Sequence, residues 1–226
     1  MINELEKNKN LSDRCLYLIT PPSYQDRDTL VDQLVAGISG GVDMIQLRDK
    51  RTNIKELIGL AKDIAEIAHK LGALFIVNDS IGLAMAANAD GVHLGQEDTP
   101  LNLARSIMGP DKIIGCSAHS IKQAIDAQNM GADYVGFGPI FHSSLKKDLT
   151  PIGPYSLEEL NSTISIPYFA IGGINPSNLD KVIRYGGRRV ALCSAFFNKQ
   201  DFIKTASSIK EKLIGSTKDA DEEMPT

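Results

Sequence analysis

Short runs rich in β-branched and aromatic residues alternate along this chain with stretches whose apolar positions recur every three or four residues. The β-rich runs lie at 15–20, 43–48, 73–78, 91–94, 112–117, 133–138, 166–172 and 189–194. Between the second and third, Leu57, Leu60, Ala61, Ile64, Ile67, Ala68 and Leu71 share one face of a helix over 54–71. Strand then helix, repeated, predicts parallel pairing through right-handed crossovers. Eight such units in 226 residues fit one α/β domain, a single (β/α)8 TIM barrel, better than an open doubly wound sheet. Asn175-Pro176 predicts a helix start, because a capping side chain precedes a residue whose missing N–H costs nothing there. Asn88-Ala89-Asp90, Gly131-Ala132-Asp133 and Gly186-Gly187 read as helix ends that return the chain to the sheet. The barrel is expected over 15–214, with a polar arm at 1–14 and an acidic, disordered tail at 215–226.

Composition narrows the function classes. Hydrophobic residues at 42% and charged residues at 23% are those of an ordinary globular chain. Lys plus Arg number 24 against 28 Asp plus Glu, a net charge of −4, so there is no basic excess to bind nucleic acid or an acidic membrane. The first ten residues lack an apolar signal core and no run has membrane-spanning length, which leads us to expect a cytoplasmic protein. Cys15, Cys116 and Cys193 are odd in number, far apart and set in apolar runs, so buried reduced thiols are expected.

In a barrel the chemistry sits where the strands end. Period-two geometry sends Ile45 and Leu47 to the helix layer and Met44, Gln46 and Arg48 inward. An inward Arg48 needs an anionic partner, either a ligand or an aspartate, Asp49 or one on a neighbouring strand. Asp79, after the third strand, and Asp98, after the fourth, are carboxylates at the same rim. They read either as Mg2+ ligands or as helix caps. The four histidines have no ligand-like spacing. Taking Val135, Phe137, Ile171, Val190 and Leu192 as helix-facing leaves Gly136, Gly138, Ala170, Gly172, Ala191 and Cys193 inward, a set small enough to leave a cavity. Gly172-Gly173 and Ser194, after the last two strands, can offer N–H and hydroxyl groups to a phosphate. The irregular stretch 142–154 follows the sixth strand and carries Lys146 and Lys147, either of which could close over a phosphate. These residues suit an enzyme handling two anionic groups, one of them beside a divalent cation.

Taken in order, several segments resemble the thiamine phosphate synthase family. They are Leu16-Tyr17-Leu18-Ile19-Thr20, Gln46-Leu47-Arg48-Asp49-Lys50, Phe75-Ile76-Val77-Asn78-Asp79, the run from Asp90 to Asp98, the run from Gly115 to Ser120, Gly138-Pro139-Ile140-Phe141 and Ala170-Ile171-Gly172-Gly173-Ile174. The resemblance implies a (β/α)8 transferase that joins hydroxymethylpyrimidine diphosphate to a (carboxy)thiazole phosphate and releases diphosphate and, from the carboxylated thiazole, CO2. It implies pyrimidine-diphosphate contacts at Gln46, Arg48, Lys50 and Asn78, Mg2+ ligands at Asp79 and Asp98, and diphosphate-side contacts at Ser117 and Lys146. Gly173, Cys193, Ser194 and the loop from Ser143 to Leu145 match positions that seat the thiazole phosphate and carboxylate. Leu145 stands where the family carries a hydroxyl, and Arg188-Arg189 where small residues are expected. A thiazole tautomerase-like isomerase and a silent phosphate-binding homologue are the alternatives. Asp98, and Pro139 where the tautomerase would use a histidine, favour the synthase. The implied partners are small molecules, with a homo-oligomer possible.

Overall fold

The computed structural model describes residues 11–22, 24–143, 149–197 and 201–222, with side chains as far as 215. Eight strands follow one another around a closed barrel, each parallel to its neighbours, and the last pairs with the first. They are β1 (Leu16–Ile19), β2 (Met44–Leu47), β3 (Leu74–Asn78), β4 (Gly91–Leu94), β5 (Ile113–Ala118), β6 (Tyr134–Phe137), β7 (Tyr168–Ile171) and β8 (Val190–Leu192). The intervening helices are α1 (Arg27–Ser39), α2 (Ile54–Lys70), α3 (Ile81–Ala86), α4 (Leu101–Met108), α5 (Ile121–Asn129), α6 (Ser156–Thr163) and α7 (Leu179–Arg184). A short α8 (Ser194–Phe197) and a long α9 (Phe202–Glu222) follow β8. Every expected strand is present, β4 with the expected bounds and the others trimmed or shifted by a residue or two where pairing ends. Asp26, Asn53, Ser80 and Ser120 start α1, α2, α3 and α5 by accepting a hydrogen bond from a backbone N–H three residues on.

Alternation along the strands divides the apolar side chains into two layers. Ile45, Leu47, Phe75, Val77, Val135, Phe137, Val190 and Leu192 join the helices in an outer core. Met44, Leu74, Ile76, Ile113, Tyr17, Tyr134 and Phe169 fill the barrel itself. The rings of Tyr17, Tyr134 and Phe169 meet edge-on at centroid distances of 5.2 to 5.9 Å. The phase of β7 corrects the sequence reading. Ala170 faces the helices and Ile171 packs against the inner layer, the reverse of the expectation. Tyr168, Phe169, Ala170 and Ile171 are apolar on both faces, so alternation along the strand could not set the phase. The interior space that Phe169 fills does.

The opposite end of the barrel is closed by a repeated device. Asp43, Asp90 and Asp133 stand immediately before β2, β4 and β6, one residue ahead or at the strand's edge. Each backbone N–H donates to the preceding strand, and each carboxylate accepts from a backbone N–H of that strand, at Leu16, Phe75 and Ile114. A basic group completes each: Lys210, His69 and Arg105. Leu11, in a 3-10 turn over Leu11–Asp13, is buried in the inner layer and plugs this end. Arg189 donates to the Ser12 carbonyl, which gives it a structural role the sequence did not suggest.

Two further expectations change. The helix expected at Asn175-Pro176 begins at Leu179, because Asn175 Oδ1 instead accepts from the Ser177 N–H and hydroxyl and holds a turn. The backbone past Gly215, expected as a tail, continues α9 to Glu222. Before that point Ala206, Ile209 and Leu213 are buried. Among the described residues, no helix is long and apolar enough to cross a membrane.

Candidate active site

A cavity of about 420 Å3 opens at the C-terminal end of the barrel. Six of the residues singled out from sequence line it together: Arg48, Ser117, Ser143, Gly173, Cys193 and Ser194. They come from five different strand ends, which only barrel closure brings to one place. Gly136, Gly138 and Ala191 line it as expected, so the space exists because those side chains are small. At one end Gly172 and Gly173 take φ values of 96° and 65°. A Cβ on Gly173 would lie 2.4 Å from the His142 carbonyl oxygen, so glycine is required for both conformation and close approach. Asn175 and Asn178 side chains both donate to the Gly173 carbonyl and fix this loop beside Ser194, the first residue of α8. Loops after the seventh and eighth strands are the usual phosphate seat of the fold.

Arg48 comes from the end of β2. Its alternative partner Asp49 is engaged elsewhere: the carboxylate accepts from the N–H groups of Arg51 and Thr52, the Thr52 hydroxyl and the Tyr24 hydroxyl. Partial burial pushes the Asp49 carboxyl up, but these hydrogen bonds outweigh it and bring it down to about 2. Among the described residues no ion pair holds Arg48, whose guanidinium faces the cavity near Cys193.

Beyond the cavity lining, Asn78 and Asp79 end β3 and Asp98 follows β4. Neither aspartate caps a helix. Ser80 caps α3, and α4 begins after Pro100 with no side-chain cap. Asp79 has φ 62° and pairs with Lys50 Nζ at 3.0 Å. Asp98 Oδ2 accepts from the Gly95 N–H at 2.6 Å. Among the described residues no cluster of three or more acidic, histidine or cysteine side chains forms a ready metal cage. Two carboxylates at the same rim suit an ion that keeps its waters and takes remaining oxygens from a phosphorylated ligand, which is how Mg2+ binds. The donor set therefore fits Mg2+.

Among the predicted substrate contacts, Lys50, Asn78 and Gln46 do not line the cavity, and Gln46 turns to a partner inside the barrel. It is buried, 2% exposed, and its Nε2 donates to the Tyr17 hydroxyl at 2.6 Å. Lys146 and Leu145 lie outside the described residues. Sequence reasoning assigned nothing to His93, yet it lines the cavity and bonds Ser117 Oγ through Nε2 at 3.0 Å. Its position two residues after Gly91 in β4, inward by alternation, was the available signal. His119 also lines the cavity and bonds the Gly138 carbonyl through Nδ1. Burial pushes the Cys116 and Cys193 thiols up to about 11, in Cys193 against a smaller opposing pull from Arg48, so both stay protonated and neither is a nucleophile at neutral pH.

Comparison with known proteins agrees with this arrangement. The sequence profile described as thiamine monophosphate synthase matches residues 16–196. The thiamine-phosphate synthase of Clostridium novyi strain NT is 42% identical over 193 residues, 85% of this chain and 94% of that protein. The thiamine-phosphate synthase of Synechococcus sp. strain CC9605 is 39% identical over 211 residues, and this chain spans only 59% of its length. Among solved structures, the thiamine phosphate pyrophosphorylase of Pyrococcus furiosus superposes with a TM-score of 0.81 at 32% identity, covering 89% of this chain and 96% of that one. With its profile match running from β1 into α8, this chain belongs to the thiamine monophosphate synthase family.

Proposed function

We propose that this protein is a transferase that condenses 4-amino-2-methyl-5-hydroxymethylpyrimidine diphosphate with a thiazole phosphate, giving thiamine phosphate and diphosphate in the cytoplasm. The observation that carries the reading is that one cavity is lined by Arg48, from β2, and by the glycine loop after β7 and the start of α8. One end suits a diphosphate and the other a monophosphate, at a separation set by the barrel mouth.

Breaking the bond between the pyrimidine methylene carbon and the diphosphate oxygen leaves the electron pair on oxygen and positive character on carbon. The thiazole nitrogen then supplies the pair for the new C–N bond, so no side-chain nucleophile is needed. Asp79 and Asp98 would hold Mg2+, which when bound neutralises charge on phosphate oxygens. Lys50, which pairs with Asp79 in this structure, would add a second positive charge for a bound diphosphate. Arg48 and Ser117 supply a charge and a hydroxyl to oxygens whose negative charge grows as the bond breaks, and so favour the transition state over the bound substrate. The Gly173 loop and Ser194 receive the thiazole phosphate, with Ser143 beside them.

The test is product formation by the purified protein from the two phosphorylated substrates, with and without Mg2+. Turnover should require Mg2+, and Asp98→Ala should lower it on the order of 100-fold. Absence of product from folded protein, or full activity of Asp98→Ala at limiting Mg2+, overturns the reading.

A further inference from the structure

Beneath the cavity runs a chain of hydrogen bonds that the reaction scheme does not use. Gln46 Nε2 donates to Tyr17 Oη at 2.6 Å, and Tyr17 Oη lies 2.9 Å from Tyr134 Oη. Tyr134 Oη lies 3.0 Å from His93 Nδ1, and His93 Nε2 lies 3.0 Å from Ser117 Oγ. Gln46, Tyr17, Tyr134 and His93 are all buried, at 2%, 1%, 0% and 8% exposure. Burial raises both phenols far above their ordinary range, so each keeps its proton.

The amide at one end sets a direction. An amide N–H can only donate, so Tyr17 Oη accepts from Gln46 and its own proton goes to Tyr134 Oη. Tyr134 then has its proton to give His93 Nδ1. A neutral imidazole that accepts at Nδ1 carries its proton on Nε2 and donates it to Ser117 Oγ. The opposite direction would have Tyr17 accept twice and leave its buried proton without an acceptor among the described residues, at the cost of an unmade hydrogen bond.

We propose that this buried chain positions Ser117: it holds His93 as the Nε2–H tautomer, fills an acceptor site on the serine oxygen, and so directs the Ser117 proton into the cavity as a donor to an anionic oxygen. Tyr17, Tyr134, His93 and Gln46 are positioning residues in this chain. The inference rests on the reading of this cavity as a diphosphate site.

The tautomer can be read without turnover. In long-range 1H–15N spectra of the intact protein labelled at histidine, with His93 assigned by its loss in His93→Asn, Nδ1 should resonate as a pyridine-type nitrogen and Nε2 as a pyrrole-type one. An Nδ1–H tautomer or an imidazolium at neutral pH overturns the proposal. Inorganic diphosphate with Mg2+ should shift the His93 signals. The expected tautomer with no such shift supports the relay and overturns the diphosphate reading of Ser117, which separates the two failures. Tyr134→Phe keeps the ring and removes the oxygen. It should mix the tautomers and lower kcat about tenfold, with a much smaller change in KM. In a Ser117→Ala background the same change should add little, since the two act through one contact. Loss of stability alone, with tautomer and kcat unchanged, overturns the positioning role.

Discussion

Tyr134 fits inside the barrel because residue 115 has no side chain: a Cβ there would lie 2.1 Å from the Tyr134 ring. Gly115→Ala must therefore push the ring against Tyr17 and Phe169. Overpacking of this kind costs about 1 to 3 kcal/mol, and urea unfolding should read a loss of that size. Asp49 contributes in a pH-dependent way. Its carboxyl falls from the ordinary 3.8 to about 2 on folding, so its contribution is fully present above pH 4 and is lost as the pH drops from about 4 towards 2. Asp49→Asn should be less stable than the parent at pH 7, and the difference should shrink through that window. A difference independent of pH would assign the effect to packing rather than to charge.

At the scale of elements, the strands are held in register at their starts by the aspartates before β2, β4 and β6. Replacing one leaves a buried backbone N–H without its acceptor and a basic side chain without its counterion. Asp133→Ala leaves the Ile114 N–H without its acceptor and Arg105 without its counterion, and should cost about 1 to 3 kcal/mol in the midpoint-derived stability while leaving the cavity at the opposite end intact. KM values unchanged at a lowered melting temperature would bear this out. A loss of turnover without a loss of stability would contradict it. The same elements explain where periodicity succeeded. β2 is amphipathic enough that Ile45 and Leu47 declare the outer face, whereas β7 has no polar residue to declare a phase and was read backwards.

For the molecule as a whole, barrel closure turns separate strand ends into one site. Arg48 is free to serve a ligand because Asp49, its neighbour in sequence, is bound into the turn before α2. Arg48→Ala should therefore lower turnover on the order of 100-fold while the melting temperature holds, since no ion pair among the described residues is lost. A marked fall in melting temperature would show that Arg48 has a structural partner. The number and order of the strands, their parallel pairing and the inward face of β2 follow from the sequence alone, because they depend on periodicities of two and 3.6 residues within short windows. The glycine loop after β7 was equally legible, since a left-handed backbone leaves a local signature. The phase of β7, the availability of Arg48 and the withdrawal of Gln46 from the cavity were decided only by tertiary structure. So was the relay from Tyr17 to Ser117, two of whose members, Tyr17 and Tyr134, lie 117 residues apart. Each depends on which group occupies a shared interior space, and that competition is settled only when the barrel closes.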